Sequence, residues 1–110
     1  MAVALSPDGS LAATGSYDGT VGVWDTGTGQ LLNLLKAHAA PVMAAGFLGN
    51  GRSLISGSED KTLILWDAPA GNVIDRLFLD SKVSCIAAVG NRVCVGDYGG
   101  AIYFFGIDNE

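Results

Sequence analysis

Leu54-Ile-Ser-Gly-Ser-Glu-Asp-Lys-Thr-Leu-Ile-Leu-Trp-Asp67 sets two short apolar runs on either side of a polar turn and closes on a Trp-Asp pair. The same order of residue types stands earlier, in Leu11-Ala-Ala-Thr-Gly-Ser-Tyr-Asp-Gly-Thr20 followed by Val21-Gly-Val-Trp-Asp25. A third, weaker copy runs from Val83 through Val93-Cys-Val-Gly-Asp97 to Ile102-Tyr-Phe-Phe105. Trp24 to Trp66 is 42 residues, and Trp66 to Phe105 is 39. A period of about 40 built from short strand-like runs predicts one four-stranded unit per repeat.

Outward from that stretch, the second unit divides into four strands. They are expected at Val42–Leu48, Ser53–Gly57, Thr62–Asp67 and Val73–Leu79, termed A to D. Turn-forming residues separate them: Gly49-Asn50-Gly51, Ser58-Glu59-Asp60-Lys61 and Pro69-Ala70-Gly71. In the first unit Ser6-Pro7-Asp8-Gly9 reads as a type I turn. In the third, Gly90-Asn91 reads as a two-residue hairpin loop between Val89 and Arg92. Leu31–Ala37 could pass for a short helix, but the repeat sets it opposite Val73–Leu79 and makes it a strand. The units span about 2–37, 38–79 and 80–110.

Leu63-Ile-Leu-Trp66 and Ile86-Ala-Ala-Val89 are continuous apolar runs. A sheet with one wet face would alternate apolar and polar residues, so both faces of these sheets are expected to be covered. Small residues such as Ala44, Ala45, Gly46, Ala87 and Ala88 suit a crowded centre where sheets converge. The composition agrees. Hydrophobic residues make up 49% of the 110, and charged residues 15%, against about 25% in an average domain. That excludes a disordered chain. The 16 glycines argue against helices, where glycine is costly.

These residues closely resemble the WD-repeat family of β-propellers, over nearly the whole chain. The resemblance implies an all-β fold, an incomplete propeller of nearly three four-stranded antiparallel blades. It also implies a buried hydrogen-bonded tetrad. In the second unit the matching residues are His38, Ser56, Asp60 and Trp66. The first unit offers Thr14, Asp18 and Trp24, and its histidine position would precede Met1. The third unit has Leu79, Val95, Gly99 and Phe105 at the four places, so apolar packing replaces the tetrad. The phase of the repeat makes Glu110 look like a natural C-terminus and Met1 like a cut into a longer propeller. In the family the closing blade commonly takes its fourth strand from the chain's N-terminal end. Val95 to Phe105 is also similar to the last repeat of WD-repeat arrays that follow NACHT-type switch domains, although no phosphate-binding Gly-Lys-Ser/Thr motif supports this.

Little in the chain points to catalysis. The nine Asp residues are spread over turns, no paired carboxylates occur, and the single histidine is allotted to the tetrad. No metal-ligand spacing surrounds it, and no cofactor is expected. The glycine-rich turns lead into strands, not helices, so they offer no helix N-terminus to a phosphate. Cys85 and Cys94 would be diagonal neighbours on the A–B hairpin, and they read as a buried thiol pair in a reducing compartment. A net charge of −5 with 6 Lys+Arg disfavours nucleic acid and anionic membranes as partners. No apolar run approaches the roughly 18 residues of a membrane helix, and Met1 is followed by Ala-Val-Ala-Leu without the basic n-region expected of a signal peptide. A cytoplasmic setting is therefore expected.

The expected function is a noncatalytic protein-interaction scaffold. Its alternatives are the C-terminal sensor part of a NACHT-type signalling protein and, less favoured, an enzyme using the propeller channel. Tyr17, Glu59 and Tyr98 occupy equivalent positions in the B–C turns and are the candidate partner contacts. The partner is a protein of unidentified kind. Propellers close with 4–8 blades, so a homo-oligomer or further blades are expected to complete the ring.

Overall fold

A computed structural model describes residues 2–36, 38–49 and 51–106. The expectations that fall on Met1, Ala37, Asn50 and Glu110 lie outside the described residues. Eleven strands form, and no helix among those residues. The first antiparallel sheet takes β1 (Ala2–Leu5), β2 (Leu11–Gly15), β3 (Thr20–Asp25) and β4 (Leu31–Lys36) in that order. The second takes β5 (Val42–Phe47), β6 (Ser53–Ser58), β7 (Thr62–Asp67) and β8 (Asn72–Phe78). The third has three strands: β9 (Val83–Val89), β10 (Arg92–Asp97) and β11 (Ile102–Gly106). Strand C of the second unit matches its expected bounds, whereas A, B and D shift by one residue at one or both ends.

Neighbouring residues on β7 feed different cores, which explains its unbroken apolar run. Ile64 and Trp66 join Val21, Val23, Leu35 and Val42 between the first and second sheets. Leu63 and Leu65 turn the other way, toward Val83, Val93 and Val95. A period of two places successive side chains on opposite faces, so a sheet covered on both faces is apolar throughout. β6 is accordingly buried along its whole length.

β9 differs. Its burial alternates, and Val89 is 81% exposed. Ile86 and Ala88 pack on the second sheet, while Cys85, Ala87 and Val89 face outward. The expectation that Ile86–Val89 is covered on both faces is therefore corrected: no described sheet lies on the outer side. The buried thiol pair is corrected with it. Cys85 is exposed and Cys94 half-buried, because both stand on that same outer side of the hairpin. The hairpin itself pairs Val89 with Arg92, and Cys94 with Ala87.

The sheets meet most closely at glycines. A Cβ added to Gly15 would stand 2.6 Å from Val42 Cγ1, and one added to Gly57 would stand 2.5 Å from Val83 Cγ1. Both glycines lie near the end of strand B, and both valines start strand A of the next sheet. The joint thus repeats. Val42 N–H also donates to Ser16 O at 3.0 Å across the first joint.

Candidate functional site

His38 sits between strand D of the first unit and β5, with its side chain fully buried. Its Nε2 lies 2.8 Å from Ser56 Oγ on β6, and Trp66 Nε1–H donates to the same oxygen at 2.8 Å. On the other side, His38 Nδ1 lies 3.2 Å from Asp60 Oδ2. The indole can only donate, so Ser56 accepts from Trp66 and passes its own hydrogen to Nε2. Nδ1 then carries the imidazole hydrogen and donates it to Asp60. Burial pushes the His38 pKa below its ordinary value, against the pull of the Asp60 carboxylate. For Asp60 burial works upward, but the Thr62 hydroxyl, the Ala39 N–H and the nearby imidazole outweigh it and hold the carboxyl low. The pair at neutral pH is a neutral imidazole beside an ionised carboxylate.

That assignment fixes a pH dependence. Unfolded His38 takes up a proton more readily than folded His38, so the unfolded state binds more protons as pH falls below about 6.5. The stability from the neutral buried ring is complete above that value and declines toward the lower folded pKa. Asp60, also lowered, contributes in the same direction at still lower pH. Thermal unfolding is expected to show Tm falling from pH 7 to pH 5, with a shallower fall in His38→Gln.

In the first unit Trp24 Nε1–H donates to Thr14 Oγ1 at 2.9 Å. Asp18 does not join them. It is exposed and accepts from the Thr20 amide at 3.0 Å and from the Thr20 hydroxyl at 2.6 Å. Among the described residues no histidine bridges Thr14 and Asp18, and hydroxyl and carboxylate stay separate. In the third unit Leu79, Val95 and Phe105 lie in the apolar core. A polar pair missed by the sequence reading stands beside them. Asp97 is buried, accepting from the Ala101 amide at 2.9 Å and the Tyr103 hydroxyl at 3.2 Å. Its signal was its position after Gly96, matching Ser58 after Gly57. Ser58 is likewise buried and donates to the carbonyl oxygens of Ala40 and Pro41. Thr62 was also missed; its hydroxyl lies 3.0 Å from His38 Nδ1.

The second candidate surface is made by the B–C turns. Glu59 N–H donates to Pro41 O at 3.1 Å, and Tyr98 N–H donates to Lys82 O at 2.9 Å. The turns of the second and third sheets are therefore pinned to the residue that precedes strand A of their own sheet. The glycine joints place the next residue, Val42 or Val83, beside the end of strand B of the preceding sheet. The three turns consequently lie along one edge of the stack. Tyr17 is 69% exposed, Tyr98 58%, and Glu59 is half-buried. Among the described residues no cluster of His, Cys, Asp or Glu could hold a metal ion, and no helix is long and apolar enough to cross a membrane.

Stacked antiparallel sheets with a buried Trp–Ser–His–Asp chain in one repeat define a class of repeated β-sheet protein. The WD domain, G-beta repeat family matches residues 1–25 and 29–67. That is more than half of the chain, and the chain belongs to this family. It is 34% identical over 109 residues to the Periodic tryptophan protein 2 homolog of Schizosaccharomyces pombe, covering 96% of this chain and 13% of that protein. It is 36% identical over 106 residues to F-box/WD repeat-containing protein 9 of Bos taurus, covering 96% of this chain and 22% of that protein. The chain thus spans less than a quarter of the length of these relatives. Among solved structures it is similar to the Cps50 (Swd1) beta-propeller domain of Myceliophteria thermophila. The TM-score is 0.85 at 22% identity, covering 98% of this chain and 35% of that one. This likeness concerns the fold: an incomplete β-propeller.

Proposed function

We propose that the chain is a noncatalytic protein-interaction module that displays its B–C turns to a protein partner. The observation that carries this reading is the pinning of the second and third turns. Glu59 and Tyr98 are tied through their own amides to a neighbouring backbone carbonyl, and the sheets beneath share two continuous cores. A partner meeting this edge would spend little free energy on ordering it. Two exposed tyrosines offer large contact area with few torsions to freeze. Membership of a repeat family found in an F-box protein supports the scaffold reading.

The double variant Tyr17→Ala/Tyr98→Ala tests it. Neither ring is in a core, so stability is expected to change by less than about 0.5 kcal/mol each. Quantitative affinity capture should show the proteins held by the wild type reduced severalfold on the double variant. Equal capture by the two, with unchanged thermal unfolding, would remove the turn edge as the binding surface.

A further inference from the structure

The joint between the first and second sheets has all four strands on each side. There β4 stacks over β7. Leu35 on β4 shares a core with Ile64 and Trp66, and Asn33 Nδ2 donates to Ala68 O and Pro69 O, in the turn after β7, at 3.5 and 3.3 Å. β8 stands beyond that overlap as a ledge, with all seven residues exposed. Its register gives the ledge a face. Val73 pairs with Trp66, Arg76 with Ile64, and Phe78 with Thr62. Paired residues of antiparallel strands share a face, and Ile64 and Trp66 face the first sheet. The register shift takes up Ile74, so Val73, Arg76 and Phe78 stand at every second place along the strand. Val73 is 43% exposed and Phe78 77%, with exposed Arg76 between them.

The Arg76 guanidinium has no carboxylate partner among the described residues. Asp75 does not serve. It pairs with Leu65 and so points to the other face, and its Oδ1 accepts from the Arg76 backbone N–H at 2.8 Å. Burial chiefly lowers the His38 pKa, and the Arg76 charge adds to it, which sets the guanidinium toward this joint. We propose that the ledge is a docking surface for an extended protein segment that sets a glutamate or aspartate against Arg76 and an apolar side chain two residues to either side of it, against Val73 and Phe78. The charge fixes the centre of the ligand, since a guanidinium takes a carboxylate through two parallel hydrogen bonds. The spacing fixes its form. Side chains at every second place on a strand recur about every 7 Å, the repeat of an extended ligand and of its alternate side chains. This surface lies on strand D, apart from the B–C turns, and does not depend on them.

The probe is a fluorescein-labelled peptide, Gly-Leu-Thr-Glu-Thr-Leu-Gly, titrated into the whole chain by polarisation. Saturable binding is expected, weakened about fivefold by Arg76→Glu, since reversal turns an exposed attraction into a repulsion. The same peptide with Lys in place of Glu should bind the wild type about fivefold more weakly and regain that factor on Arg76→Glu. Backbone amide NMR signals of β8 should shift on binding, and those of β9 to β11 should not. Arg76 is exposed, and circular dichroism will show that Arg76→Glu keeps its sheet content; recovery by the Lys peptide shows the same for the ledge itself. No saturable binding, indifference to both charge reversals, or shifts confined to the third sheet would overturn the proposal. So would sedimentation showing a self-associated state, not displaced by the peptide, in which β8 amides are already protected, because a second copy would then be the occupant.

Discussion

Ser56→Ala is expected to destabilise the fold by about 3 kcal/mol, most of it from two buried groups left without a partner. The Ser56 hydroxyl joins Trp66 Nε1 to His38 Nε2, each 2.8 Å away. Removing it leaves a buried donor and a buried acceptor facing a space too dry to satisfy them. Each such loss costs about 1–3 kcal/mol. The lost hydroxyl's volume is small and adds little. Ser56→Thr keeps the oxygen, as Thr14 does at the equivalent place in the first unit, and is expected to lose less than about 1 kcal/mol. Urea unfolding of both variants distinguishes a polar network from simple packing. If Ser56→Ala and Ser56→Thr lose equally, the hydroxyl is not what matters.

Gly57→Ala should destabilise by a similar amount through a different cause. Its new Cβ would stand 2.5 Å from Val83 Cγ1 and 2.9 Å from Val83 Cβ. Val83 is fully buried and cannot swing aside, so β9 must move away from β6. Overpacking of this kind costs about 1–3 kcal/mol. Val83→Ala alone opens a cavity at the same joint. Combined, the Cβ added at residue 57 takes part of the space left by the two γ-methyls of Val83, and the double variant should be more stable than the sum of the single losses allows. A double-mutant cycle by urea unfolding measures that coupling. Strictly additive losses would mean that Gly57 and Val83 do not meet. The equivalent pair, Gly15 and Val42, is expected to behave alike.

The repeat was legible because β7 carries it twice over. Leu63 to Trp66 alternates between two cores, so the sequence shows an unbroken apolar run with a tryptophan at a fixed place. The His38 constellation was legible for a related reason: its members hold their spacing relative to that run. The outer face of β9 was not legible. Ala87 and Val89 read the same whether one sheet or two cover them, since an apolar run records what a strand can bury and not what lies on it. The exposure of Cys85 follows from the same ambiguity. Asp18 was placed with Thr14 and Trp24 by position, but a carboxylate reaches a hydroxyl across this gap only through a histidine. Asp97 and Tyr103 were hidden because their pairing crosses a turn that the repeat alignment treats as spacer.

The three sheets form one stacked unit that holds the B–C turns at fixed places. Native-state amide hydrogen exchange tests it most directly. Amides in β2, β3, β6, β7 and β10 are predicted to share one high level of protection, and Gly57→Ala should lower protection in all three sheets together. Exchange from β9–β11 at its own lower level, unmoved by Gly57→Ala, would contradict the stacked unit.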